Sequence, residues 1–205
     1  VQAAAKFISY LFHPLFIPTF CTGLILLTNP LDFRGLVIPP LQVLLMAAMY
    51  TIFYPLITIV ILKALKFIES FEMHTQRERF IPFIATFVFF LWGFVVFKSD
   101  ELGMPKLLPA SALGTAIAVG LAFLFNVFEK ISIHAIGMGG LTGLTMWLLM
   151  YSPFDVKLIL VLAFVASGLV CTARLVLKAH TMREIIVGYG LGFGCQLFSI
   201  FLYIK

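Results

Sequence analysis

Residues 156–173 read VKLILVLAFVASGLVCTA, residues 174–184 read RLVLKAHTMRE, and residues 185–203 read IIVGYGLGFGCQLFSIFLY. Two runs close to the roughly 20 apolar residues needed to cross a hydrocarbon core flank a short link holding Arg174, Lys178, His180, Arg183 and Glu184. Ionisable side chains beside lipid are costly unless they serve a site. The same reading finds further apolar runs at 7–28, 41–67, 80–97, 109–127 and 134–151. The expected fold is all-α: a polytopic integral membrane helix bundle with six or seven transmembrane helices, forming a single domain over 1–205.

Composition supports that reading. The chain is 62% hydrophobic and 11% charged, with a mean hydropathy of +1.11, so no stretch is polar enough for a separate soluble domain. His13, Pro14 and Pro18 interrupt the first run, which reads as a kinked span or an interfacial helix; without it six spans remain. Pro39-Pro40 marks the entrance of the second run and Pro55 a kink inside it. The N-terminus lacks a cleavable-signal pattern, so the first run is expected in the mature protein. Cys21, Cys171 and Cys195 have no metal-ligand spacing and read as packing thiols. The net charge of +5 comes without a nucleic-acid recognition motif, which leaves anionic membrane lipids as the natural partner.

Polar residues gather in three clusters: Arg77-Glu78-Arg79 with Pro82, Ser132-Ile133-His134, and Arg174 with His180 and Glu184. An even number of crossings separates successive clusters, so all three face one side, and His13 and His74 fall toward it as well. The runs beginning at 80, 134 and 185 present their N-terminal amides there, and such ends attract anions. Ser132 reads as an N-cap, and Thr181-Met182-Arg183-Glu184 as a capping box. Gly139 with Gly143, Gly188 with Gly192, and Gly190 with Gly194 read as close-packing positions, with a homodimer face as the minor alternative.

Arg174, His180 and Glu184 have the spacing Arg-x5-His-x3-acid before an apolar helix. This resembles the third signature of the type-2 phosphatidic acid phosphatase superfamily. The resemblance implies that Arg174 binds phosphate, that His180 is the phosphoryl-accepting nucleophile and that Glu184 orients it. Ser132 and His134 match two positions of the second signature, Pro-Ser-Gly-His, which implies phosphate contact by Ser132 and protonation of the leaving oxygen by His134. In the first signature, Lys-x6-Arg-Pro, Arg79 takes the arginine place, with Glu72 at the lysine and Phe80 at the proline; Arg77 and Pro82 stand nearby. A phosphate-binding role carries over to Arg79, and Arg77 joins it on charge.

The implied activity is hydrolysis of a lipid phosphate monoester or isoprenyl diphosphate through phosphohistidine, by a metal-independent enzyme without a cofactor. The general chemistry agrees: a neutral imidazole oriented by a carboxylate can attack phosphorus while arginines hold the phosphate oxygens. The resemblance also implies a bacterial inner membrane and a site on its non-cytoplasmic side. Basic residues favour the opposite orientation until Arg77, Arg79, Lys130, Arg174 and Lys178 are set aside as phosphate ligands. Blander readings stand beside these. Glu184 could only cap, Arg174 could snorkel, and Lys130 and Lys178 read as headgroup-facing charges. Two other functions remain in view, a non-hydrolytic phospholipid-binding or transport protein and a histidine-ligated haem protein.

Overall fold

Helix α8 (Lys157–Val176) divides sharply by face: Ala163, Ser167, Val170 and Ala173 are buried, whereas Leu158, Val161, Leu162, Val165 and Leu169 are exposed. A wide apolar face with no protein over it is what a helix shows to lipid. The computed structural model describes residues 1–36, 38–69 and 76–204, apart from the side chains of Gln76, Arg77 and Arg79. Among the described residues there is no strand, and six helices are long and apolar enough to span: Pro40–Ala64, Phe80–Lys98, Leu107–Phe128, Ile133–Tyr151, Lys157–Val176 and Met182–Ile204. The chain is an all-α polytopic bundle suited to an integral membrane protein.

The centre of the bundle is α7 (Ile133–Tyr151), the most buried of the spans, packed against α8 and α9 (Met182–Ile204). Glycine makes the second of these contacts possible. A Cβ on Gly192 would overlap the Ile136 carbonyl, one on Gly139 would overlap the Tyr189 carbonyl, and one on Gly188 would stand 2.8 Å from the Ser132 carbonyl. The two backbones therefore meet directly, with Gly143 continuing the seam against Phe193. The third expected pair behaves differently: a Cβ on Gly190 or Gly194 meets nothing within 4 Å, so these two take no part in packing within the chain. On the neighbouring face, Gln196 Nε2 donates to Ser111 Oγ at 2.9 Å, fastening α9 to α6 (Leu107–Phe128) through a buried polar contact.

The second run comprises α3 (Pro40–Ala48), a π-helical turn Met49–Phe53, and α4 (Tyr54–Ala64). The wide turn directly precedes Pro55, which lacks the N–H that a regular α-helix would require there. It carries the chain into α5 (Gln76–Lys98), whose Phe80 and Phe83 rings meet Phe123 near the end of α6.

The first run is not one helix. It forms α1 (Gln2–Leu11) and α2 (Ile17–Thr28), so the span drawn over 7–28 is corrected. Between them Phe16 N–H donates to the His13 carbonyl at 2.8 Å, closing a turn where Pro14 and Pro18 withhold helix donors. Helix α2 and the turn before it then run beside α7. His13 lies against His134 at one end, and at the other Ser152 Oγ donates to the Thr28 carbonyl at 2.8 Å. Helix α1 turns back over the end of α8.

Candidate active site

Two short links meet at one end of the bundle, one joining α6 to α7 and the other joining α8 to α9. Lys130 Nζ donates to the Ala179 carbonyl at 2.9 Å, Arg183 Nη2 lies 3.2 Å from the Glu129 carboxylate, and Ser132 N–H donates to the Glu184 carbonyl at 3.4 Å. Lys130 is therefore a clamp between loops rather than a charge turned to headgroups. Lys178, which is exposed, adopts φ of 52°, and Ala179 N–H donates to the Arg174 carbonyl at 3.1 Å. A left-handed residue of this kind ends a helix and reverses the chain, a place glycine usually takes. Here it swings His180 back over the start of α9.

His180 Nδ1 lies 2.6 Å from Glu184 Oε2. The carboxylate can only accept, so Nδ1 carries the proton and the Nε2 lone pair of the neutral ring is left free. Burial lowers the His180 pKa below its ordinary value of 6.5; the Glu184 hydrogen bond opposes that, and the Lys130 and Arg174 charges add to it. Such a ring is neutral at pH 7, the form a nucleophile needs. Glu184 also receives an N-terminal hydrogen-bond link, since its N–H donates to Thr181 Oγ1 at 3.3 Å. One residue thus serves both the helix start and the imidazole.

Ser132 caps α7, accepting from Ala135 N–H at 3.4 Å, and its side chain is buried. Two residues on, His134 Nε2 lies 3.1 Å from the Ser9 carbonyl. A carbonyl cannot donate, so His134 Nε2 carries the proton and Nδ1 is the open nitrogen of the neutral ring. Arg174 Nη1 donates to the hydroxyl of the same Ser9 at 3.4 Å. Arg174 therefore turns inward rather than snorkelling to the surface. Its Nε is buried and, among the described residues, has no hydrogen-bond partner.

No family model, curated protein or solved structure matches this chain.

Of the seven residues singled out from the sequence, Ser132, His134, Arg174, His180 and Glu184 come together at this end. Arg77 and Arg79 sit in the first turn of α5, and the Phe80–Phe123 ring contact puts that turn at the same end, beside the close of α6. Their side chains lie outside the described residues, as do Glu72 and His74. Two further residues meet this group, Ser9 and His13. The sequence placed His13 on the side of the three clusters without giving it a role, and its ring lies against that of His134. Ser9 gave no signal, because its carbonyl is an atom that every residue has.

Proposed function

We propose that this chain is a membrane lipid phosphatase that hydrolyses a lipid phosphate monoester or an isoprenyl diphosphate through a phosphohistidine intermediate. The observation that carries the reading is the 2.6 Å contact of His180 with Glu184 at the end of the bundle that also holds Arg174 and His134. His180 Nε2 attacks phosphorus in line with the bond to the leaving oxygen. That bond breaks as the phosphorus–nitrogen bond forms. Glu184 keeps the attacking ring in the right tautomer and faces the positive charge that grows on it, as the third member of a catalytic triad does.

Arg174 supplies the fork that holds the equatorial oxygens, and the α7 and α9 N-termini add main-chain partial charge. His134 delivers the proton to the departing oxygen. With Nε2–H held by the Ser9 carbonyl, Nδ1 of the neutral ring first takes a proton from the bound phosphate monoanion and passes it to the departing oxygen, and the ring returns to its Nε2–H tautomer. Water then attacks the phosphohistidine, His134 Nδ1 takes its proton, and the phosphorus–nitrogen bond breaks to release inorganic phosphate and restore His180. Residues in these roles need only position groups and stabilise charge, the main demands of phosphoryl transfer. The lipid tail stays among acyl chains while its headgroup reaches the polar end, from the non-cytoplasmic side of a bacterial inner membrane under this reading.

One contact favours a second reading. Ser9 already engages both His134 and Arg174, the two groups that would meet the substrate. A binding or transport protein could keep this arrangement without turnover. Phosphate release from a panel of lipid phosphates by detergent-purified protein, in EDTA and beside His180→Ala, decides between them. Release that survives EDTA and disappears in the variant supports hydrolysis; lipid binding by the wild-type protein without release supports the alternative.

A further inference from the structure

The corner between α1 and α2 brings a third histidine to the site. The His13 ring meets the His134 ring edge-on, with centroids 5.7 Å apart and planes 79° apart. Leu15 N–H donates to His13 Nδ1 at 3.4 Å, so in the neutral ring the proton resides on Nε2. Among the described residues nothing accepts a hydrogen bond from that Nε2–H. Burial, and then the Arg174 charge, lower the His13 pKa below 6.5, so His13 is also neutral near pH 7.

A second donor in the same neighbourhood lacks an acceptor. Among the described residues Arg174 Nε is buried without a partner, although Nη1 of the same guanidinium reaches Ser9, four residues before His13. An unmet buried donor costs about 1–3 kcal/mol, and more on a charged group, so Arg174 Nε calls for an acceptor from outside the chain, and the His13 Nε2–H, which is not itself a buried unmet donor, is free to meet the same group. The chemistry of the surrounding groups defines it. Arginine and Nε2–H donors suit anionic oxygen, and the tetrahedral oxygens of a phosphate can take both.

We propose that His13 is a substrate-contacting residue whose Nε2–H, together with Arg174 Nε, donates to the oxygens of a bound phosphate group. The N-terminal segment then supplies part of the anion site, and Ser9 acts as a positioning residue that holds His134 through its carbonyl. The proposal rests on the phosphatase reading for the identity of the pocket, but it concerns binding and does not require turnover. The phosphate could belong to a lipid headgroup or be free inorganic phosphate, and the two are separable by probe.

The test is calorimetric titration of the purified full chain with inorganic phosphate and, separately, with a short-chain phosphatidic acid. His13→Gln keeps a side-chain N–H donor, whereas His13→Phe keeps the ring against His134 and removes the donor. Loss of one hydrogen bond to an anion is expected to weaken binding about tenfold in His13→Phe, with most of the affinity kept in His13→Gln. Weakening for both probes assigns the contact to phosphate itself, and weakening for the lipid alone assigns it to the phosphate of a headgroup. Wild-type affinity in His13→Phe overturns the role of His13. If Arg174→Gln still loses affinity in that case, the phosphate site stands without His13; if Arg174→Gln also binds as wild type does, the phosphate-site reading falls with it. Failure of the wild-type chain to bind either probe overturns both.

Discussion

His180 Nδ1 and Glu184 Oε2 stand 2.6 Å apart across one turn at the start of α9, with side-chain exposures of 9% and 22%. The carboxylate is close enough to choose the tautomer of the ring and wet enough to remain ionised. Replacing Glu184 by Gln keeps the shape but offers an amide that can donate as well as accept. Its side-chain carbonyl can still hold Nδ1–H, yet the negative charge opposite the developing imidazolium is gone. Under the proposed mechanism Glu184→Gln lowers kcat by about 10²–10⁴-fold with a smaller effect on KM, and His180→Ala removes turnover. Steady-state kinetics on a lipid phosphate would measure both.

The depressed pKa of His180 sets the pH dependence. A group whose folded pKa lies below its unfolded value of 6.5 adds stability above that value and loses it as pH falls toward the folded pKa. Under the proposed mechanism activity would follow the same neutral form, so the acid limb of kcat/KM is expected below pH 6.5. Glu184 is one of the influences that raise the His180 pKa, and Glu184→Gln therefore moves the limb lower still. A limb that moves upward in the variant would contradict this account.

Lys178 holds a left-handed conformation, with φ of 52°. An L-residue gives up about 1–2 kcal/mol there, and glycine relieves the strain while adding freedom to the unfolded chain. The side chain is exposed and does not clamp the loops as Lys130 does. Lys178→Gly is expected to raise thermal stability in detergent by up to about 1 kcal/mol. A lower melting temperature would show that the lysine side chain has an important contact of its own.

Gly192 and Gly190 lie two residues apart on α9 and should respond oppositely to the same change. A methyl on Gly192 enters the Ile136 carbonyl and forces α7 and α9 apart, costing roughly 1–3 kcal/mol or preventing assembly. A methyl on Gly190 meets nothing within 4 Å and, within one chain, should be neutral or slightly stabilising through helix propensity. Thermal unfolding of Gly192→Ala and Gly190→Ala, each compared with the wild-type chain, reads the difference.

The spans were legible because lipid imposes a simple rule, long apolar helices, and each of the later runs lies within a few residues of its helix. The placement of Ser132, His134, Arg174, His180 and Glu184 was legible for a related reason: crossing parity puts span ends on a side whatever the tertiary details. Hydropathy said less about the first run. It scores Ile8 and Ile17 alike, whereas missing proline donors decide that the chain breaks between them. It also cannot rank glycines by face, so Gly190 and Gly192 looked equivalent until the crossing of α7 and α9 was known. Main-chain partners such as the Ser9 carbonyl have no residue-type signature at all.

Helix α2 gives about 18 Å of rise over its 12 residues, where the hydrocarbon layer is about 30 Å deep. It is fastened at its far end to the C-terminal cap of α7 and at its near end continues into the His13 corner. Helix α7 rises about 28 Å over its 19 residues and meets His13 through His134 at its start, so the corner stays at headgroup depth and the turn over 12–16 makes up the length that α2 lacks. The shortness of α2 therefore sets the register of the two histidines: one further helical turn would carry His13 about 5 Å past His134.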